Sequence, residues 1–286
     1  MYMQVILIYN PASGSSLPLN ELLDHFENAS IEVVATIDIT KYPEQKLKPY
    51  LKKRGMTIAA YGGDGTLSSA ASLIIDSNVN FAPLPGGTLN HFTKDLGVPQ
   101  DLDEALSNLK KAKPRPIDVA SINGQIFLNN SGIGLYPLML YVRDDLQTKR
   151  ISKWFAAMIS GIRVFIRYRR YSVVIGGNTF KTPFVFVGNN DYGLEHQLIG
   201  ERKKLNEGIL SVYAVSSAKR RDFLKTLGSI LLGKHPSRQH LKLWKTESIT
   251  ITTKRQRIRV SRDGEHELLA TPLEYRIISK GLNVLY

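Results

Sequence analysis

The sequence contains no cysteine, and none of its hydrophobic runs is long enough to cross a bilayer as a helix. Without cysteine, disulfides, zinc–thiolate sites, iron–sulfur clusters and cysteine nucleophiles are excluded. The longest apolar stretches, such as Trp154–Ile162, fall far short of the roughly 18 residues that a spanning helix needs. No basic segment precedes the apolar run Val5–Tyr9, which therefore predicts a strand and not a signal peptide. We expect a protein that is soluble or contacts a membrane only from the side.

Acidic residues are scarce in the second part of the chain. Residues 1–118 contain 11 Lys or Arg and 13 Asp or Glu, a net charge of −2, whereas residues 119–286 contain 27 and 12, a net charge of +15. This asymmetry indicates that the second part meets an anionic partner, which could be nucleic acid, a phospholipid surface or an acidic substrate. A basic surface that only keeps the protein soluble explains the same charge.

The first part of the chain alternates strand and helix patterns. With 286 residues, the chain is long enough for two domains of about 100–200 residues each. Glycine turns separate the alternating segments, an order that is typical of βαβ units and a parallel sheet. We therefore predict an α/β domain over residues 1–118. Its predicted strands are Val5–Tyr9, Ile31–Ile39, Thr57–Tyr61 and Phe81–Leu84, and its predicted helices are Leu19–Glu27, Gln45–Lys53, Leu67–Ile75 and Leu89–Leu96.

From residue 119 onward, hairpin patterns predict an antiparallel β-sandwich or half-barrel. Two segments with helical spacing, about residues 142–170 and 219–232, interrupt it. We place this second domain at 119–276 and treat 277–286 as a tail that can return to the first domain. The predicted hairpins are Asp118–Ile122 with Gln125–Leu128, Tyr171–Ile175 with Thr179–Val187, and Ser248–Thr253 with Arg257–Ser261, and Ile209–Val215 is a further strand.

The strongest motif is the turn Gly62–Thr66, with the sequence Gly-Gly-Asp-Gly-Thr, between a predicted strand and a predicted helix. Its glycines are expected to permit positive φ angles and close approach of a ligand to main-chain N–H groups. The helix N-terminus that follows favours phosphate, although a purely structural turn remains the alternative. The loops Asn10–Gly14 and Pro85–Asn90 follow other strands, so the three loops predict a nucleotide cleft at the carboxyl edge of the sheet. Neither a P-loop motif nor a Gly-x-Gly-x-x-Gly fingerprint is present.

Gly62–Thr66 resembles the signature of the diacylglycerol kinase catalytic family, to which NAD kinase and 6-phosphofructokinase are distantly related. The resemblance extends, in family order, to Asn10–Gly14, Leu84–Gly97, Asp118, Asn129–Gly134 and Asp263–Glu265. It implies a Rossmann-like α/β domain with a parallel sheet and a C-terminal antiparallel β-sandwich domain. It also implies ATP and Mg²⁺ as cofactors.

The resemblance further implies a role for each matching residue. Glu265 would be the general base, because a carboxylate near the acceptor hydroxyl can take its proton. Asp64 would hold the nucleotide phosphates, directly or through magnesium, and Glu207 would bind a structural magnesium ion. Outside the family pattern, Glu265 and Glu207 would be ordinary turn residues and Asp118 the start of a strand. The residues implied to bind the nucleotide or shape its cleft are Asn10, Thr40, Gly62, Gly63, Gly65, Thr66, Thr88, Asn90, Lys94 and Asp118.

Several positions depart from the family pattern. Ser15 and Ser16 replace basic residues, His91 replaces an Asp, and Lys94 replaces an Arg. Lys94 can still neutralise phosphate but loses bidentate geometry. Asn206 stands at the first acidic position of the magnesium turn, next to Glu207. These departures leave room for a protein with weak catalysis.

The segments 149–170 and 219–231 combine cations with aromatic and aliphatic residues. This combination favours peripheral contact with an anionic membrane, although helices that face a protein core explain the apolar residues equally well. No nucleic-acid-binding motif is present, so we expect no nucleic-acid partner. We expect a cytoplasmic, peripherally membrane-associated protein, and a homodimer is compatible with the sequence.

Three functions fit the sequence. The first is an ATP- and Mg²⁺-dependent lipid kinase that phosphorylates the hydroxyl of diacylglycerol or a related lipid alcohol. The second is a small-molecule kinase of the NAD-kinase type, which fits the Pro85–Asn90 segment and the basic helical segments less well. The third is a regulator that binds a nucleotide or a membrane with little catalysis. The apolar residues that would contact an acyl chain are generic, so they do not identify the lipid.

Overall fold

The computed structural model describes residues 3–12, 17–134, 170–192, 202–215 and 241–286. The chain divides into two compact units, one formed by Met1–Val119 with Ile278–Tyr286 and the other by Ala120–Ile277. The predicted helical segments at 142–170 and 219–232, like Ser15 and Ser16, lie outside the described residues, apart from Arg170. Within the described ranges, no helix has the length and hydropathy to cross a membrane.

The first unit is an α/β fold around a parallel sheet, which confirms the predicted fold class. Strands β1, β2, β3 and β4 pair in parallel in the order β2-β1-β3-β4. Helices alternate with the strands, and α5, which the sequence analysis did not predict, follows α4 directly. The bounds are β1 Met3–Tyr9, α1 Leu19–Asn28, β2 Ile31–Asp38, α2 Pro43–Leu51, β3 Thr57–Gly62, α3 Asp64–Ser72, β4 Asn80–Pro85, α4 His91–Asp95 and α5 Leu102–Leu109.

The central strands of this sheet are buried on both faces. Val5–Ile8 and all of Thr57–Gly62 are buried, as expected for parallel strands that helices cover on both sides. Helix α1 contributes Leu22 and Phe26, which are four residues apart and therefore lie on one face of the helix. The sheet is thus a rigid support for the loops at its edges.

The last strand, β16 (Leu273–Leu285), adds a fifth parallel strand to this sheet beside β4. Asn283 lies opposite Asn80 of β4, and Val284 lies opposite Phe81. Residues 278–286 therefore belong to the first unit, whereas the beginning of β16 belongs to the second.

The second unit is an antiparallel β-sandwich, as predicted. One layer has the strand order β12-β11-β10-β7-β14-β15, and the other is formed by β8, β9, β13, the start of β16 and the β5–β6 pair. Side chains of both layers, such as Val187 and Val260 from the first and Ile175 and Ile251 from the second, share one core. The bounds are β5 Pro114–Ile122, β6 Gln125–Phe127, β7 Asn130–Gly134, β8 Tyr171–Ile175, β9 Asn178–Thr182, β10 Phe184–Asn189, β11 Leu210–Val215, β12 Leu241–Thr246, β13 Ser248–Thr253, β14 Arg257–Arg262 and β15 Glu265–Ala270.

In the second unit, one predicted strand is too long and one predicted pairing is wrong, although the predicted hairpin of Tyr171–Ile175 with the segment from Thr179 onward does form. Thr179–Val187 is not one strand, because it breaks at Pro183: β9 pairs with β8 in one layer, and β10 pairs with β7 and β11 in the other. Proline lacks the N–H that a continuing ladder needs. Strands β13 and β14 likewise do not pair with each other, since β13 pairs with β16 and β8, and β14 with β7 and β15. Their short connection crosses from one layer to the other.

Candidate active site

The three glycine- or asparagine-containing loops of the first unit lie at the same edge of its sheet. They follow β1, β3 and β4, which are parallel neighbours and therefore end on the same side. The Gly86 N–H donates to the carbonyl of Gly62 at 3.0 Å, which joins the loop after β4 to the end of β3. The Asn10 side-chain amide donates to Thr66 Oγ1 at 3.3 Å. The structure thus brings Asn10, Gly62 and Thr66 together as the sequence predicts.

Asn90 closes the loop that follows β4. Its backbone is in the left-handed region, with a φ of 51°, which asparagine adopts more readily than most residues. Its side-chain oxygen accepts a hydrogen bond from the Gly87 N–H at 2.9 Å, so the loop folds back on itself. Asn90 is buried, whereas Thr88 and Lys94, which are also predicted to belong to the nucleotide site, are exposed.

Asp64 joins the loop after β3 to the beginning of α4. Its Oδ2 accepts a hydrogen bond from the His91 N–H at 3.0 Å, and its Oδ1 accepts one from the Phe92 N–H at 2.8 Å. The first amides of a helix lack partners inside the helix, and they favour a negative charge. Asp64 therefore fixes the relative position of two of the three loops, a role that the sequence analysis did not predict.

The reason for glycine in these loops differs from the expected one. Gly63 has a φ of −80° and neither Gly62 nor Gly65 has a positive φ, so the prediction of positive φ angles in the turn Gly62–Thr66 is wrong. Instead, the two loops approach too closely for side chains. A Cβ on Gly87 would lie 2.4 Å from the Cα of Gly63, and one on Gly86 would lie 2.8 Å from the nitrogen of Gly62.

We expect Gly87→Ala to lower the free energy of unfolding by about 1–3 kcal/mol, because its Cβ would have to displace backbone atoms. Gly63→Ala is the matched control, since its Cβ would meet only the Gly87 Cα, at the ordinary contact distance of 3.4 Å. Urea unfolding of both variants measures the difference. Equal destabilisation by the two substitutions would contradict the packing explanation.

Thr40 lies just after β2, at the same edge of the sheet. Both its N–H and its hydroxyl donate to Asp38 Oδ1, at 2.9 and 2.6 Å, while Lys41 Nζ lies 3.1 Å from Asp38 Oδ2. The Thr40 hydroxyl is the main reason that the pKa of Asp38 is lowered. The Thr40 hydroxyl is therefore already bonded to Asp38. Asp38 was not among the predicted site residues, although an acid two residues before a threonine is typical of such turns.

Asp118 is buried, with 1% of its surface exposed. Its Oδ1 accepts a hydrogen bond at 2.8 Å from the backbone N–H of Lys280, which has a φ of 54° in β16. Asp118 thus holds an irregular point of that strand inside the first unit. Its predicted role in shaping the nucleotide cleft stays a prediction.

Glu265 stands at the beginning of β15 in the second unit, immediately after the turn Asp263-Gly264. Its side chain is exposed. Asp263 is 8% exposed and accepts backbone hydrogen bonds from Leu128 at 2.7 Å, Asn129 at 2.8 Å and Asn130 at 3.1 Å. The turn that carries Glu265 is therefore fastened to the segment between β6 and β7.

We expect Asp263→Ala to destabilise the protein by about 3 kcal/mol, because buried amides would lose a charged acceptor. Asp263→Asn is the control and should cost about 1 kcal/mol, since its oxygen can still accept from the two amides that bond to Oδ1. Thermal and urea unfolding measure both losses. An alanine variant as stable as the asparagine variant would contradict this assignment.

The carbonyl groups of the segment between β6 and β7 also accept hydrogen bonds. Arg202 is buried and donates to the Leu128 carbonyl at 2.6 Å and to Asn129 Oδ1 at 2.7 Å. Asn189 and Tyr192 donate to the carbonyls of Leu128 and Asn129, each at 2.9 Å. This buried polar network was not predicted, because a single sequence offers no signal for it.

Glu207, the predicted magnesium ligand, lies in a turn before β11. Its Oε2 accepts a hydrogen bond from the Asp191 N–H at 3.3 Å, and its own N–H donates to Asn190 Oδ1 at 2.8 Å. In the part of the chain that the structure describes, no group of three His, Asp or Glu side chains could hold a metal ion. Magnesium at Glu207 would therefore need backbone carbonyls and water as its other ligands, and the site stays a prediction.

Comparisons with known proteins match both units. The family description "Diacylglycerol kinase catalytic domain" matches residues 4–122, and "YegS C-terminal NAD kinase beta sandwich-like domain" matches residues 142–286. The chain is 27% identical to the Bacillus subtilis (strain 168) protein named diacylglycerol kinase, over 91% of this chain and 89% of that one. It is 24% identical to a Salmonella gallinarum protein named "Probable lipid kinase YegS", over 72% of each chain.

Solved structures agree with this match. A crystal structure of a diacylglycerol kinase from Bacillus anthracis str. Sterne has a TM-score of 0.68 at 25% identity and covers 100% of this chain and 97% of that one. A second crystal structure from the same organism has a TM-score of 0.71 at 26% identity and covers 100% of this chain and 96% of that one. The class is thus a phosphotransferase with an alcohol group as acceptor. The chain belongs to the diacylglycerol kinase catalytic-domain family.

Proposed function

We propose that this protein is a lipid kinase that uses ATP and Mg²⁺ to phosphorylate the hydroxyl of diacylglycerol or a related lipid alcohol. The observation that carries the proposal is the pair of interlocked loops in which Asp64 bonds to the His91 and Phe92 amides. The names of the relatives, diacylglycerol kinase and lipid kinase, support the choice of acceptor. We also propose that the enzyme works at an anionic membrane surface, where such an acceptor is found.

The loops of the first unit suit a nucleotide phosphate. Gly63 is the N-cap of α3 and has no side chain with which to cover the amides of the first helical turn. Those amides and the positive end of the helix dipole attract an anion. Gly65 and Thr66 belong to the same turn, and Asn10 contacts it through Thr66.

The acids of this unit fit the way in which magnesium accompanies a nucleotide. Such an ion keeps several waters and is held by one or two carboxylates together with the phosphates, so it needs no cluster of three acidic side chains. Asp64 is the carboxylate that would hold it. When bound, ATP would supply the phosphoryl group, and its metal ion would supply the positive charge that neutralises the oxygens of that group during transfer.

Glu265 supplies a base in this proposal. Its exposed carboxylate has no hydrogen-bond or ion-pair partner among the described residues, and the neighbouring Asp263 holds its turn in place. A carboxylate that is accessible but fixed in position can accept the proton of an alcohol as the new O–P bond forms.

The test uses diacylglycerol in mixed micelles with labelled ATP and Mg²⁺. We expect a labelled phospholipid whose formation requires both the metal and the acceptor. The same assay with NAD as acceptor tests the second candidate, which the description of the C-terminal match as NAD kinase-like favours. Formation of NADP without lipid phosphorylation would contradict the lipid kinase proposal and favour a kinase of the NAD-kinase type. ATP binding with no turnover on a broad panel of lipid alcohols would instead favour a regulator.

A further inference from the structure

One exposed surface of the second unit combines cations with an apolar side chain. Arg257 and Arg259 alternate on β14 and therefore point to the same face of the sheet. Their partners across the ladder to β15 are Ala270 and Leu268. All four residues are exposed, and Leu268, with 53% of its surface in solvent, is the most exposed large aliphatic side chain among the described residues.

The turn that precedes β14 adds two more cations, Lys254 and Arg255, which are also exposed. This turn is held firmly, because the Arg255 carbonyl accepts hydrogen bonds from the hydroxyls of Thr253 at 3.1 Å and Thr271 at 2.6 Å. The backbone that carries these cations is therefore fixed before any partner binds. We call Lys254, Arg255, Arg257, Arg259 and Leu268 the β14–β15 patch.

Acidic residues do not neutralise this patch. Within the described ranges, none of its four cations lies within 4 Å of a carboxylate oxygen. Glu267 of β15 lies opposite Val260, whose side chain is in the core, so it points to the other face of the sheet, where it pairs with Arg262 at 2.7 Å. The patch thus presents a positive field around an exposed leucine.

We propose that the β14–β15 patch docks the protein on an anionic phospholipid bilayer. Each cation close to such a surface is attracted by the anionic headgroups, and an exposed leucine gains further free energy by entering the interface. Nucleic acid would also attract the cations, but a leucine among them offers nothing to a phosphate backbone. The proposal rests on the proposed lipid kinase function, because docking would bring the enzyme to the surface that contains its acceptor.

The test measures binding to vesicles of phosphatidylcholine with phosphatidylserine and to vesicles of phosphatidylcholine alone. The variant Arg257→Glu/Arg259→Glu should bind the anionic vesicles at least about 10-fold more weakly, since two attractions become repulsions. Lys111→Glu/Lys113→Glu makes the same change in charge at exposed residues of the first unit and should leave binding unchanged. Leu268→Ala should weaken binding without any change in charge. Circular dichroism and the melting temperature establish that each variant is folded.

Three results would overturn the docking proposal. Equal losses in the two double variants, or equal binding of the native protein to both kinds of vesicle, would overturn the proposal. Loss of oligonucleotide binding without loss of vesicle binding in Arg257→Glu/Arg259→Glu would assign the patch to nucleic acid and overturn it as well.

Activity measurements separate this proposal from the proposed function. The patch variant should phosphorylate lipid in detergent micelles at the native rate but act more slowly on anionic vesicles. If the native protein phosphorylates no lipid in either system, the proposed function fails, while the vesicle-binding comparison still tests the patch.

Discussion

Glu265→Gln is expected to reduce turnover at least about 10²-fold, the usual lower range for loss of a positioned general base. The substitution keeps the size of the side chain but removes its capacity to accept a proton at neutral pH. Because the Glu265 side chain is exposed and forms no hydrogen bond with the described residues, the melting temperature should change little. A steady-state assay with ATP and lipid micelles measures the loss as a change in kcat.

Glu274→Gln is the matched control for Glu265→Gln. Glu274 is also an exposed acid on a strand of the second unit, and its closest ion-pair partner, Arg276, lies 3.8 Å away. We expect this variant to keep the native turnover. If Glu265→Gln keeps the native kcat, Glu265 is not the general base, whatever the effect of the substitution on stability.

Asp64→Asn is expected to lower kcat at least about 10²-fold, because the negative charge that would hold the metal ion is lost. The same change should also destabilise the first unit, since one carboxylate oxygen that accepts from His91 or Phe92 becomes an amide group that cannot accept. Kinetics at several Mg²⁺ concentrations, together with urea unfolding, measure the two effects separately.

Asp76→Asn controls for the loss of an acid in the same unit. Asp76 is exposed and lies four residues after the end of α3. We expect this variant to be active and stable. If Asp64→Asn is destabilised but keeps the native kcat and the native dependence on Mg²⁺, then Asp64 only fastens the two loops and does not hold the metal ion.

The sequence predicts the first unit well because its signals are local. Strands such as Thr57–Gly62 are continuous apolar runs that end in glycine, and this pattern indicates a buried parallel strand without any knowledge of its neighbours. The order of strands and helices then leaves few arrangements for the sheet. The description of residues 1–118 as an α/β domain with loops at one edge follows from these signals alone.

Strand pairing in the second unit is less accessible to such reasoning. A hairpin and a crossing between two layers both appear as two β-prone runs with a short connection, as at Lys254–Gln256. The choice depends on which layer each strand completes, and thus on partners such as β16 and β7 that are distant in sequence. The one local signal is Pro183, because a proline within a strand pattern indicates that the strand breaks there.

The candidate site shows the same division. The glycine loops and Glu265 are visible as motifs, whereas the bonds of Asp64 to α4 and of Asp263 to Leu128–Asn130 join segments up to 135 residues apart. A buried carboxylate that accepts backbone N–H groups has no sequence pattern of its own. The roles of the predicted site residues stay predictions, while the contacts that position them depend on segments that are distant in sequence.

The division of β16 has a consequence for biosynthesis. The first unit contains residues up to 119 and then residues 278–286, which the ribosome adds only after the entire second unit. Its sheet can acquire the neighbour that covers β4 only once that late segment emerges, so the nascent unit exposes an unpaired edge while the chain is elongating. Folding of this enzyme is thus expected to finish only after residues 278–286 have left the ribosome, with the first unit the last to be completed.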